Sequence, residues 1–193
     1  MLSQYAGVRK MILRYWDAYG GISAITSSPY LHAALLLTIL MSNTWVMPNW
    51  WDTVISIMPN LTGFTLGGFA IIVTFGNDEF KQLIYTIDET DEHSFVASIG
   101  STFVHFVMLQ VLALILALGA KSTYFVINEE CNLCTLLEKI DVHLLQLMYA
   151  ARYFVWFISY CIFMYALTTT IAATLAIYRL IYNYQTYIND KDK

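Results

Sequence analysis

A chain of 193 residues that is 58% hydrophobic and only 12% charged cannot hide its apolar surface in a water-soluble core of its own. Soluble domains carry about 25% charged residues; the deficit here, with a mean hydropathy of +0.57, points to lipid as the missing solvent. A formal net charge of −4 argues against a broad basic face for nucleic acid or anionic lipid.

The pattern predicts an all-α integral membrane protein forming a single membrane domain over 1–193, with four transmembrane helices and an N-terminal interfacial amphipathic helix. That first helix covers 2–19. Tyr5, Val8, Ile12, Tyr15 and Trp16 share one face, with Arg9, Lys10 and Arg14 beside it, which suits a helix lying on the membrane surface. The same charges are followed by Asp17 and a Gly-Gly pair, so the segment does not read as a cleaved signal peptide.

A crossing helix needs about 20 apolar residues. Four stretches lack Asp, Glu, Lys and Arg: 18–51, 53–77, 93–120 and 153–178. They place the spans at about 30–47, 53–76, 95–120 and 152–178. Ser27-Ser28-Pro29 opens the first span as a cap with proline in the first turn, and Pro48 closes it. Trp45, Trp50 and Trp51 cluster there, at the expected lipid–water boundary, and Asn49 or Asp52 can cap the next helix. In the second span Pro59 either kinks the helix or marks where the crossing begins. Beyond Gly76, the spacing of Phe80, Leu83, Ile84 and Ile87 predicts a helical extension ending in the acidic run Asp88, Glu89, Asp91 and Glu92. A connector, 121–151, follows the third span; Leu133, Leu136, Leu137, Ile140, Leu144 and Leu147 give it an amphipathic stripe. The fourth span is expected to continue past Arg179 as a tyrosine-rich helix.

With four spans both termini share a side. Arg9, Lys10, Arg14, Lys81, Arg179, Lys191 and Lys193 lie on it, against Lys121, Lys139 and Arg152 opposite. The positive-inside rule then makes both termini cytoplasmic in a multi-pass inner-membrane protein.

No catalytic constellation is present. The histidines His32, His93, His105 and His143 are scattered, and no span contains a carboxylate, so neither an enzyme nor an ion-coupled transporter is expected. No cofactor is implied. In the second span Asn60, Gly63, Gly67, Ala70 and Thr74 fall on one face poor in side chains, and Gly63 and Gly67 form a G-x-x-x-G. Such a face serves close helix packing, within or between subunits, or lines a pore. In the third span Ser98, Ser101, Thr102 and His105 recur at helical spacing, as hydrogen-bonding glue or as a conduit lining. The fourth repeats the theme with Ser159, Thr168, Thr169, Thr170 and Thr174, while Phe154, Phe157, Phe163 and Met164 could form an apolar gate or face lipid. Cys131 and Cys134 read as free thiols or a weak disulfide rather than a metal site, since only His143 lies near. The acidic run 88–92 is a solvated face; an anionic nucleotide signal would meet Arg9, Lys10, Arg14 or Arg179 instead.

The stretch Met58-Pro-Asn-Leu-Thr-Gly-Phe-Thr-Leu-Gly-Gly-Phe-Ala-Ile, continuing to Phe75-Gly-Asn-Asp-Glu-Phe80, resembles a segment of small bacterial inner-membrane proteins. The layout is similar to the small multi-helix effectors of bacterial phage-defence systems, the Hailong-type channel subunit among them. That resemblance implies a homo-oligomeric channel held shut until a signal opens it and depolarises the cell, although the chain has no obvious ligand-binding domain. The alternative is a structural or regulatory subunit of a membrane complex.

Overall fold

The computed structural model describes residues 2–86, 93–124 and 142–191. The acidic run 88–92, the Cys131/Cys134 pair, Lys139, Lys193 and most of the leucine stripe lie outside the described residues. Every regular element described is helical: α1 (Leu2–Tyr19), α2 (Gly21–Thr26), α3 (Pro29–Leu40), α4 (Ser42–Trp45), α5 (Trp50–Thr74), α6 (Asp78–Tyr85), α7 (Phe95–Tyr124) and α8 (Val142–Lys191). Among the described residues three helices, α5, α7 and the Gln146–Lys191 part of α8, are long and apolar enough to cross a membrane.

Several boundaries differ from those read in the sequence. The stretch 30–47 is divided: α3 has 12 residues, a rise of about 18 Å, short of a hydrocarbon core of about 30 Å. The break is mild. Met41 leaves helical geometry (φ −94°, ψ 23°), yet its N–H still donates to Leu37 O at 2.9 Å and α4 follows directly. The indole N–H of Trp45 donates to the Thr38 carbonyl at 2.8 Å, filling an acceptor at the turn where the ladder is interrupted. Pro59 lies inside an unbroken α5. Nearby side chains bond carbonyls of the same turns: Ser56 Oγ donates to Thr53 O at 2.9 Å and Thr62 Oγ1 to Met58 O at 2.8 Å. The connector is also shorter than 121–151, because α7 runs on to Tyr124 and α8 begins at Val142.

The chain packs as two compact units. The first comprises 1–31, 63–108 and 169–193. Its core is Ile72, Phe80, Ile84, Ile99, Phe103, Phe106, Ala173 and Leu180. The extension after the second span is a separate helix, α6, because the chain turns sharply at Gly76 (φ 87°). Only glycine suits that position: a Cβ there would sit 2.6 Å from Phe80 Cδ1. Asn77 then caps α6, its Oδ1 accepting from the Phe80 N–H at 2.9 Å. Phe80 is thereby driven against Tyr184, ring centroids 4.9 Å apart and edge to face. Beside it the Glu79 carboxylate accepts from the Tyr187 hydroxyl at 2.8 Å and from the Lys191 ammonium.

The second unit comprises 32–62 and 109–168. Trp50 and Trp51, expected to face the lipid–water boundary, are instead 3% and 2% exposed. They pack edge to face on Trp156, at 6.5 and 5.5 Å, with Tyr160 and Tyr124 closing the cluster. Aromatic edge contacts of this kind are worth about 0.5–1.5 kcal/mol each beyond burial. Lys121 pairs with Asp52 at 2.8 Å on the exposed side. Small buried residues, Ala34, Ala113, Ala117 and Ala166, bring the helices close.

The outward surface is inverted relative to a soluble protein. Leu36, Ile39 and Leu40 of α3, Phe64 and Ile71 of α5, Ile115 and Leu118 of α7, and Phe154 and Ile171 of α8 are all exposed, Phe64 at 85%. Around α3 only Ala34 and Thr38 are buried. Such a surface suits hydrocarbon better than water.

Candidate functional site

The small face of α5 is the first of the expected sites, and it points outward. Asn60, Gly63, Gly67, Ala70 and Thr74 are all exposed. Among the described residues, a Cβ built on Gly63 or Gly67 meets nothing within 4 Å. Among the described residues, nothing packs on the face at these two glycines. Gly68, one residue on, shows the contrast: its Cβ would lie 3.3 Å from Ile177 Cδ1 and 3.8 Å from Phe103 Cε1. Ser56, overlooked in the sequence, extends the open face by one turn at i−4 from Asn60 and is also exposed. Among the described residues, only 17% of the most apolar window of α5 is buried, against 39% in α7 and in α8. Polar groups on the face are partly quieted by their own helix: Asn60 Nδ2 donates to Ser56 O at 3.4 Å and Thr74 Oγ1 to Ala70 O at 3.0 Å.

The polar row of α7 behaves differently along its length. Ser98 is exposed, Thr102 half-buried, and Ser101 and His105 buried. Ser101 Oγ and Thr102 Oγ1 both donate to Ser98 O, at 2.8 and 2.9 Å, so neither hydroxyl is spent between helices there. His105 is covered by α1. Its ring stacks on Tyr19 with centroids 4.0 Å apart and an interplanar angle of 22°, and its Nδ1 lies 2.7 Å from the Tyr15 hydroxyl. The helix read as lying on the membrane surface is thus anchored at its C-terminal end to α7. A one-dimensional pattern could place Tyr15 and Tyr19 on one face but could not say what that face met.

The N-terminal part of that face is exposed. Tyr5, Val8 and Ile12 continue it N-terminally and are exposed, Tyr5 at 74%. Arg9, Lys10 and Arg14, with Leu13 and Asp17, line a shallow open concavity on the flank of α1. Arg179 is engaged otherwise, its guanidinium 5.2 Å above the Phe95 ring.

In α8, Ser159 Oγ donates to Val155 O at 2.7 Å, Thr168 Oγ1 to Tyr165 O at 3.1 Å and Thr174 Oγ1 to Thr170 O at 3.0 Å. The four apolar residues considered as a gate do not converge. Phe154 faces outward, Phe157 packs on Trp45 at 5.5 Å, and Phe163 and Met164 are buried. No protein-family model, curated protein or solved structure matches the chain.

Proposed function

We propose that the protein is a homo-oligomeric, gated membrane channel whose subunits associate along the small face of α5. The observation that carries this reading is that face itself: Ser56, Asn60, Gly63, Gly67, Ala70 and Thr74 are exposed on a helix apolar enough to cross a bilayer. A polar, nearly side-chain-free strip is a poor lipid contact, and a good surface for a second helix or for water. One subunit of this size encloses no wide conduit, so the path must form between copies.

In this reading α3 and α4 together make a fourth, broken crossing. Residues 29–46 rise about 27 Å at helical spacing, close to the thickness of a hydrocarbon core. Trp45 supports it by supplying the donor that lipid cannot. An even number of crossings returns both termini to one side, and the lysine and arginine count makes that side the cytoplasmic face of an inner membrane. There α1 rests its apolar face on the lipid while Arg9, Lys10 and Arg14 meet anionic headgroups or an anionic nucleotide signal. Because Tyr15 and Tyr19 grip His105, movement of α1 is passed to α7, which makes this contact the gate's handle. In the defence setting that the resemblance implies, opening depolarises the bacterial cell.

The test is ion flux through proteoliposomes of purified protein, paired with its mass in native lipid. A defined oligomer that conducts, alone or after exposure to cyclic or linear nucleotides, is the expected result. A monomer that remains silent would remove the channel and leave a subunit serving another membrane protein.

A further inference from the structure

The grip of α1 on α7 accounts for only part of that helix. Tyr15 and Tyr19 meet His105, and Asp17 Oδ2 lies 3.6 Å from His93 Nε2, so the last turns of α1 are held. Residues 4–14 are exposed on every side. This exposed part carries large apolar and cationic side chains together. Tyr5, Arg9, Ile12, Leu13 and Trp16 stand at i−4, i, i+3, i+4 and i+7, one helix face with a guanidinium at its centre. Lys10 and Arg14, four residues apart, flank it. At about 100° per residue that face is turned about a quarter of the way round the helix from Tyr15 and Tyr19. Helix α1 can therefore hold α7 and a second surface at once.

Charge and shape decide the partner. No Asp or Glu precedes Asp17, so Arg9, Lys10 and Arg14 stand in a stretch without an anion. The net charge of −4 counts against a broad basic face, not against this narrow one over 9–14. Among the described residues none of the three cations is paired with a carboxylate. A soluble nucleotide would need walls on several sides, because small-ligand sites bury most of what they bind. The concavity beside these cations is shallow, is lined by α1 alone and leaves Tyr5 and Ile12 outside it. An anionic bilayer surface needs one side only: it sets its phosphates on the cations and covers the apolar side chains in the same contact. We propose that α1 docks on anionic lipid headgroups through Arg9, Lys10 and Arg14, with Tyr5, Ile12 and Leu13 entering the interface beside them. The inference narrows the α1 contact of the proposed function to one partner. It rests on the membrane placement given there and holds whether or not the protein conducts.

The test is amide exchange of the full-length protein in nanodiscs of phosphatidylcholine, or of phosphatidylcholine mixed equally with phosphatidylglycerol. Phosphatidylglycerol should slow exchange across residues 4–14 by about tenfold or more. Added salt should reverse that gain, because it screens charges at a surface. A variant carrying Arg9→Gln, Lys10→Gln and Arg14→Gln together should lose the gain, while Arg9→Lys with Arg14→Lys should keep most of it; glutamine and lysine both suit a helix, so α1 itself is preserved. Slow exchange in α5 and α7 shows in every sample that the protein is folded in the disc. Exchange across 4–14 that ignores phosphatidylglycerol while α5 and α7 stay protected would overturn this inference alone. Fast exchange in α5 and α7 of the wild type would overturn it together with the membrane placement. A full response in the triple glutamine variant would also overturn it. So would ATP added to phosphatidylcholine discs slowing 4–14 as much as phosphatidylglycerol does, which would assign the cations to a soluble phosphate ligand.

Discussion

Gly67 and Gly68 are adjacent in sequence and opposite in setting, which makes them a controlled pair. At Gly67 a leucine side chain enters open space within the subunit, since no atom of the described residues lies within 4 Å of its Cβ. Replacing glycine in a helix interior also removes a propensity penalty of about 0.8–1 kcal/mol, so Gly67→Leu should leave the subunit's own fold intact or slightly stabilised. At Gly68 the first added carbon is already 3.3 Å from Ile177 Cδ1, and three more must enter a core that includes Phe103. Overpacking of that order costs about 1–3 kcal/mol. Assembly should respond in the reverse sense. A leucine between helices that approach at Gly63 and Gly67 forces them apart, and a tenfold weaker association corresponds to about 1.4 kcal/mol. The expected pattern is therefore a crossed one. Gly68→Leu lowers the thermal midpoint in detergent, while Gly67→Leu keeps it but loses oligomer mass and ion flux. The assays are circular dichroism melts, native mass spectrometry and proteoliposome flux on the same preparations. Wild-type mass and flux from Gly67→Leu would remove the α5 face from the assembly, and a lowered melt for that variant would contradict the open setting itself.

Three further expectations follow from the geometry. Tyr19→Ala removes the ring stacked 4.0 Å from His105 and should weaken the docking of α1 by about 0.5–1.5 kcal/mol, seen as faster amide exchange across α1 with α7 little changed; unchanged exchange would refute the handle. Trp45→Phe keeps an aromatic ring for Phe157 but leaves the Thr38 carbonyl without its indole donor, and should cost about 1–3 kcal/mol in a thermal melt. At the end of α8, hydrogen bonds from Lys191 first and Tyr187 second hold the Glu79 carboxyl below the usual carboxylate range, and Glu79 in turn raises Lys191. The carboxylate's contribution is complete above the unfolded-state pKa of a glutamate and is lost as pH falls through the lower folded value. That of Lys191 is complete below the unfolded-state pKa of a lysine and is lost as pH rises through the higher folded value. Amide protection in the last turns of α8, corrected for the intrinsic exchange rate at each pH, should therefore fall at both extremes of pH, and Glu79→Gln should flatten both arms. Glu79 and Lys191 are exposed and Tyr187 half-buried, so the effect is local fraying, not global unfolding.

The sequence by itself located three long apolar helices and the amphipathic α1, but not the division of the stretch 30–47. Runs free of charge and long enough to cross a bilayer mark α5, α7 and α8, because a buried charge in hydrocarbon is too costly to be scattered at random. The periodicity of Tyr5, Val8, Ile12, Tyr15 and Trp16 located α1, and the positions of Gly63 and Gly67 located a face without side chains, because both patterns are local properties of a helix. Which way a face points is not local. All-round apolar helices in lipid carry no inside-or-outside signal in their composition, so the burial of Trp50 and Trp51 and the exposure of the α5 glycines emerged only when the helices were packed. The same holds for the break at Met41, which a long apolar run conceals and beside which Trp45 supplies a donor to the Thr38 carbonyl, seven residues back. The stacking of Tyr19 on His105 and of Arg152 on Tyr149, Tyr153 and Trp156 belongs to the tertiary structure for one reason: each needs a ring and its partner held at a set distance and tilt, and spacing along the chain specifies neither.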